Sequence, residues 1–226
     1  MTDTGIQAAR RALPQRQIVL VLLLGITGIL AIGFSPLILT ELHEEGRLPL
    51  AFIGFGFTAE LLGVGLGTTL PRLAFGSRAG PSRVALVLLL LAAVNLGSIY
   101  AIGAMQLALR FAAGLLGGLL VGLVINAIVV SSTPTRLSAW FLTTHTAAQL
   151  VVALAIAELF APRFGSAGGF GALVVLALAT LLVVPFLKPM TLFEQSDTAR
   201  NTDGSVAGSG TVWIALVAVF LTMAGL

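Results

Sequence analysis

Between Ile18 and Leu39 the chain carries no Asp, Glu, Lys, Arg or His. A helix needs about 20 apolar residues to cross the hydrocarbon core of a bilayer, and this run supplies them. It follows the basic stretch "AARRALPQR", but it is longer than the roughly 7–15 apolar residues of a secretory signal. Comparable runs recur, giving six apolar segments at about 17–40, 48–70, 83–103, 105–130, 137–160 and 166–187. Lipid offers no hydrogen bonds to the backbone, so only helices and closed barrels can span it. The segments show none of the period-two alternation of barrel strands. The expected fold is an all-α integral membrane bundle, with the lipid bilayer as its first partner. Composition agrees: 58% of residues are hydrophobic and 9% charged, with a mean hydropathy of +1.07, whereas soluble domains carry about 25% charged residues.

A net charge of +3 and a pI near 10.6 do not indicate nucleic acid here. The Lys and Arg residues are scattered through short loops and form no basic face. In a membrane protein they report orientation. With a cytoplasmic N-terminus, the inner side holds Arg10, Arg11, Arg16, Arg72, Arg78, Arg83, Arg136, Lys188 and Arg200, against Arg47 and Arg163 outside. A multi-pass protein of the cell inner (plasma) membrane, with its N-terminus cytoplasmic, is expected. The chain has no cysteine, which excludes disulfides, thiolate metal sites and cysteine nucleophiles.

Turn chemistry separates the segments: "HEEGRLP", "FGSRAGPSR", "SSTPTR" and "APRFGSAGG". Residues 188–210, "KPMTLFEQSDTARNTDGSVAGSG", read as a flexible polar linker. Residues 211–226, "TVWIALVAVFLTMAGL", begin a seventh apolar run. As a helix it spans about 24 Å, short of the roughly 30 Å hydrocarbon core. The expected organisation is a cytoplasmic tail at 1–16, a six-helix bundle at 17–187, a cytoplasmic linker at 188–210 and the truncated start of a seventh helix at 211–226.

Polar residues mark some segments and not others. Segments three and six are nearly pure Leu, Val and Ala, with Asn95, Ser98 and Thr180 as exceptions. Segments one, two, four and five carry Thr27, Ser35, Thr58, Glu60, Arg110, Asn126, Thr143, Thr144, His145, Thr146 and Gln149. Polar groups in a bilayer face the protein interior or a wet cavity, so four inner helices and two outer ones are expected. Segments one and four also echo each other: Gly25, Gly28 and Gly33 recur at one constant offset as Gly114, Gly117 and Gly122. That offset sets Gln149 opposite Glu60, and transporter halves are often built from such repeats.

Glu60 is the residue that most needs a reason. It shares a helical face with Gly56, Gly63 and Gly67, small residues that let another backbone approach. It therefore points into protein, either as a structural acid or as a protonation site on a substrate path. Arg110 is read either as snorkelling to the outer interface or as a partner on that path. His145 and Gln149 lie one turn apart on a threonine-flanked face, and Thr27 adds a further polar position. Asn126 and Asn95 fit cross-helix bonding. His43 and His145 lie in different segments, so no metal or other cofactor is expected. No nucleophile elbow or phosphate loop is present, which argues against an enzyme.

The pattern resembles the N-terminal half of a major facilitator superfamily transporter. "RFAAGLLGG", with Arg110, Gly114, Gly117 and Gly118, is similar to that family's fourth-helix motif. "SSTPTR", "APRFGSAGGF", the six segments and the polar central linker fit as well. In the loop between segments two and three, "LAFGSRAGPSR", Arg78, Gly80 and Arg83 match the family's gating loop, while Ser77 stands where the family has Asp. Segment five lacks the Gly-Pro signature of proton-coupled drug exporters; Pro162 lies past its end. The resemblance implies a secondary active transporter of a small solute, working by alternating access. Proton coupling through Glu60 is the expected mechanism, because a carboxyl can cross the membrane interior neutral or paired with a cation but not bare. Its substrate site would lie between this bundle and a missing C-terminal half of the same polypeptide. A non-transporting membrane scaffold or assembly factor is the alternative.

Overall fold

The computed structural model describes residues 14–191. Six long helices dominate: α1 (Gln15–Glu44), α2 (Ala51–Thr69), α3 (Pro81–Ser98), α4 (Ala104–Val130), α5 (Pro134–Ala155) and α6 (Ser166–Leu181). Each apolar segment provides a helical span long and apolar enough to cross a membrane, so the chain is a multi-pass, all-α membrane bundle. Pro81 and Pro134 open α3 and α5, where a proline's missing N–H is harmless. Beyond α5 the helix widens into a π-helical turn at Ile156–Phe160, in which the N–H of Ala161 reaches back to the carbonyl of Ile156. Pro162 follows directly, and a proline that cannot donate is a physical reason for the normal ladder to loosen there.

α4 is the central strut. Gly114 and Gly118 on one face meet Gly63 and Gly67 of α2 so closely that a Cβ on any of the four would strike backbone of the other helix. On a second face Gly117 meets Gly28 of α1 in the same way. Of the echoing glycines of segments one and four, the pair Gly28 and Gly117 meets at this crossing. Around it Leu24, Leu30 and Phe34 of α1 and Leu120, Leu123 and Val124 of α4 form the apolar core. Large apolar side chains such as Leu62, Leu90, Leu142 and Val175 remain exposed, as suits a surface solvated by lipid tails.

The expected division into four inner and two outer helices is corrected. α3 buries Val84, Val87, Leu88, Leu91, Ala92, Asn95 and Ser98, whereas α5 buries only Leu137 and Phe141. Thr143, Thr144 and Thr146 of α5 are exposed. The reason is that the few polar residues of α3 and α6 are partners that buried polar groups on α4 and α1 require, and they draw those two helices inward.

Hydrogen bonds fix both ends of the bundle. At the end where α1 begins, Gln17 Nε2 donates to the carbonyl of Phe186 at 2.9 Å, and the N–H of Lys188 donates to Gln17 Oε1 at 2.9 Å. Arg78–Ala79 pairs antiparallel with Met190–Thr191. The expected flexible linker therefore starts as a short strand, because Arg78 and Ala79 of the 2–3 loop supply it with a ladder partner. The rest of the linker, the seventh segment and residues 1–13 lie outside the described residues.

At the opposite end Glu45 and Arg47 clasp three loops together. Glu45 Oε1 accepts the N–H of Ser166 at 2.7 Å and Glu45 Oε2 accepts its hydroxyl at 2.7 Å, so the carboxylate sits at the N-terminus of α6, where negative charge is favoured. Arg47 Nη2 donates to the carbonyls of Ser98, Ile99 and Ala101 at 3.3, 2.5 and 2.9 Å, closing the C-terminal end of α3. Burial is the largest influence on Glu45 and pushes its carboxyl up, but the two Ser166 bonds and Arg47 together outweigh it and hold it below the ordinary value. A lowered folded-state value stabilises the fold above the unfolded value and loses that contribution as pH falls through the folded one. Unfolding in detergent should therefore become easier as pH drops below about 4.5, and Glu45→Gln should lack that acid-side loss. Parallel pH profiles for parent and Glu45→Gln would contradict the clasp.

Candidate functional site

The residues of α2 that are buried are Gly56, Glu60, Gly63 and Gly67. Glycine lets α4 approach, and Glu60 therefore enters the bundle directly beside Gly114, whose added Cβ would collide with the Glu60 carbonyl. Glu60 sits midway along α2 and is 1% exposed. Arg110, reaching from α4, is also 1% exposed. Its Nη1 lies 3.9 Å from Glu60 Oε1.

Each charge is anchored by different helices. Ser35 Oγ of α1 donates to Glu60 Oε2. Arg110 Nη2 donates to Asn95 Oδ1 at 3.1 Å and to Ser98 Oγ at 2.7 Å, both on α3. The Arg110 guanidinium also lies over the ring of Phe170 on α6, with Cζ 4.7 Å from the centroid, a cation–π contact that gains strength when desolvated. Asn95 Nδ2 and Ser98 Oγ donate in turn to the carbonyls of Leu91 and Val94, which fixes their orientation. At 3.9 Å the two charges attract without a direct hydrogen bond between them. Glu60 is held from the α1 side and Arg110 from the α3 and α6 side, and the gap between them is the least tied contact in the cluster.

No family model, curated protein or solved structure matches the chain.

Of the residues singled out from sequence, Glu60 and Arg110 come together. Arg110 does not reach for the interface; it is enclosed. His145 is elsewhere, stacked on Phe141 with ring centroids 6.2 Å apart. The side chain of Gln149 lies against Gly33 of α1, filling the space a Cβ there would occupy. Thr27 Oγ1 shares a hydrogen bond of 2.7 Å with Thr180 Oγ1 of α6. Asn126 is half-buried near the C-terminal end of α4. In the 2–3 loop, Arg78 is exposed and enters the short strand pair, Gly80 caps α3, and Arg83 Nη1 donates to the carbonyl of the buried Phe75.

Sequence reasoning left Ser35, Ser98, Gln106 and Phe170 outside the site. A signal existed for two of them, Ser98 and Gln106. Asn95 and Ser98 share a face at helical spacing, Gln106 precedes Arg110 by one turn, and a buried arginine with a single acid still needs further acceptors. Phe170 carries no such signal, since nothing in an apolar segment distinguishes a ring over a cation from a ring in the core.

Proposed function

We propose that this chain forms the first six-helix bundle of a secondary active transporter of a small solute, working by alternating access in the plasma membrane with its N-terminus cytoplasmic. Glu60 is its proton-coupling residue. The observation that carries this reading is the Glu60–Arg110 pair: opposite charges in mid-bundle, anchored to separate helices and joined only across 3.9 Å. Intramembrane acids and bases are costly and are retained at ion and proton pathways. Protonation of Glu60 cancels the attraction that holds the two anchor sets together. Its loss returns that attraction. The glycine-lined crossings of α1, α2 and α4 supply surfaces along which helices tilt. The exposed threonines of α5 favour a second bundle on that side, completing the solute path.

Ser77, at the family's Asp position in the gating loop, favours the second reading, a non-transporting scaffold or assembly factor with the same fold. Transport assays on the complete gene product separate the two. Glu60→Gln keeps shape and hydrogen bonding and removes titration. The variant should insert and exchange solute across the membrane, yet fail to accumulate it against a gradient when driven by protons. Accumulation equal to the parent would make Glu60 a structural acid. Absence of any transport by the parent would leave the scaffold reading.

A further inference from the structure

We infer that Gln106 and the Nε of Arg110 hold internal water between the clasp end of the bundle and the Glu60–Arg110 pair. Gln106 is 1% exposed, yet among the described residues neither its Nε2 nor its Oε1 has a hydrogen-bond partner, and neither does Arg110 Nε. A buried amide or guanidinium N–H left unpaired costs about 1–3 kcal/mol, so native structures satisfy such groups by protein or by ordered water. Gln106 and Arg110 are one turn apart on α4, so their side chains share a face. Together they present two donor groups and an acceptor, the set that suits about one or two buried waters, which typically make about three bonds each.

The position gives the water a role. Gln106 lies in the first turn of α4, whose N-cap Gly103 donates its N–H to the carbonyl of Arg47 at 3.1 Å. Ser98 joins the same two layers: its carbonyl accepts from Arg47 and its hydroxyl accepts from Arg110. A polar column thus runs from the clasp through Gln106 and Ser98 to Arg110 and Glu60. This deepens the coupling reading and rests on it for its consequence. When Glu60 gives up its proton, the carboxyl O–H breaks, a water O–H forms, Arg110 keeps its charge, and hydrated Gln106 is the exit toward the clasp end. Gln106 is then a positioning residue that orients water and is not itself titrated.

Phe170 is the natural reporter. It is fully buried and its ring lies over Arg110, so hydroxyl radicals generated in place oxidise it only when water is adjacent. In the 1–226 chain in lipid nanodiscs, X-ray radiolytic labelling should oxidise Phe170 about tenfold faster than the equally buried Phe34 and Phe75. Gln106→Met, which keeps the length and removes the polar atoms, should bring Phe170 down to the rate of those two, and Gln106→Asn should restore most of the labelling. Gln106→Leu serves if the Met variant is not monodisperse. Phe170 as slow as Phe34 and Phe75 in the parent would overturn the inference, leaving the amide satisfied within the protein. Fast labelling unchanged by Gln106→Met would overturn it as well. Labelling reads hydration without transport, so a dry site sinks the water while leaving the Glu60→Gln accumulation assay to judge the coupling.

Discussion

Replacing Arg110 by leucine should destabilise the folded bundle by about 3–5 kcal/mol, the usual loss when one member of a buried ion pair is removed and the other is left uncompensated. Glu60 would keep Ser35 and lose the one cationic partner it has among the described residues, while Asn95, Ser98 and Phe170 would face a side chain that offers them nothing. Arg110→Leu combined with Glu60→Gln should recover much of the loss, because no bare carboxylate then remains in the interior. Equilibrium unfolding in mixed micelles, followed by circular dichroism, measures both. If Arg110→Leu moved stability by less than about 0.5 kcal/mol, as a substitution on a free surface does, Arg110 would not be enclosed in the bundle.

Gly114→Val is expected to be nearly as damaging, at about 3 kcal/mol, the upper range for forcing extra volume into a close-packed contact. The new Cβ would strike the carbonyl oxygen of Glu60, so the clash is with backbone and no side-chain rotation relieves it. α2 and α4 would have to separate, and the acid would move with α2. Gly65→Val is the matched control: it lies on the same helix pair, in α2, and a Cβ there meets nothing within 4 Å. It should stay within about 0.5 kcal/mol of the parent. Equal effects at the two glycines would mean that the helices do not cross closely at Gly114.

The sequence made the helices legible because each had to satisfy its backbone in lipid, and length and apolarity follow directly from that demand. The buried face of α2 was legible for a similar reason: a short acid cannot reach an interface from mid-helix, and three glycines at helical spacing around it declare a close neighbour. The layering of helices was not. Counting polar residues per segment put α3 outside and α5 inside, but a single Asn–Ser face on α3 matters more than a row of threonines on α5, since it is the one that buried Arg110 requires. Arg110 itself was ambiguous because its distance from the helix end permitted snorkelling, and only the position of α3 and α6 decides where the side chain goes. The Glu45–Arg47–Ser166 clasp depends on loops far apart in the chain, which no local pattern brings together.

Glu60 and Arg110 act as one charge pair inside the bundle, and a double-mutant cycle between them tests that directly. Glu60→Gln, Arg110→Gln and the double variant would be unfolded alongside the parent under identical micelle conditions. Residues in direct contact typically couple by about 0.5–3 kcal/mol. For an enclosed pair of opposite charges the expected coupling is at least about 1.5 kcal/mol, with the double variant less destabilised than the two single losses together. Additivity within about 0.3–0.5 kcal/mol, the behaviour of independent sites, would show that the two charges do not feel each other and would contradict the account.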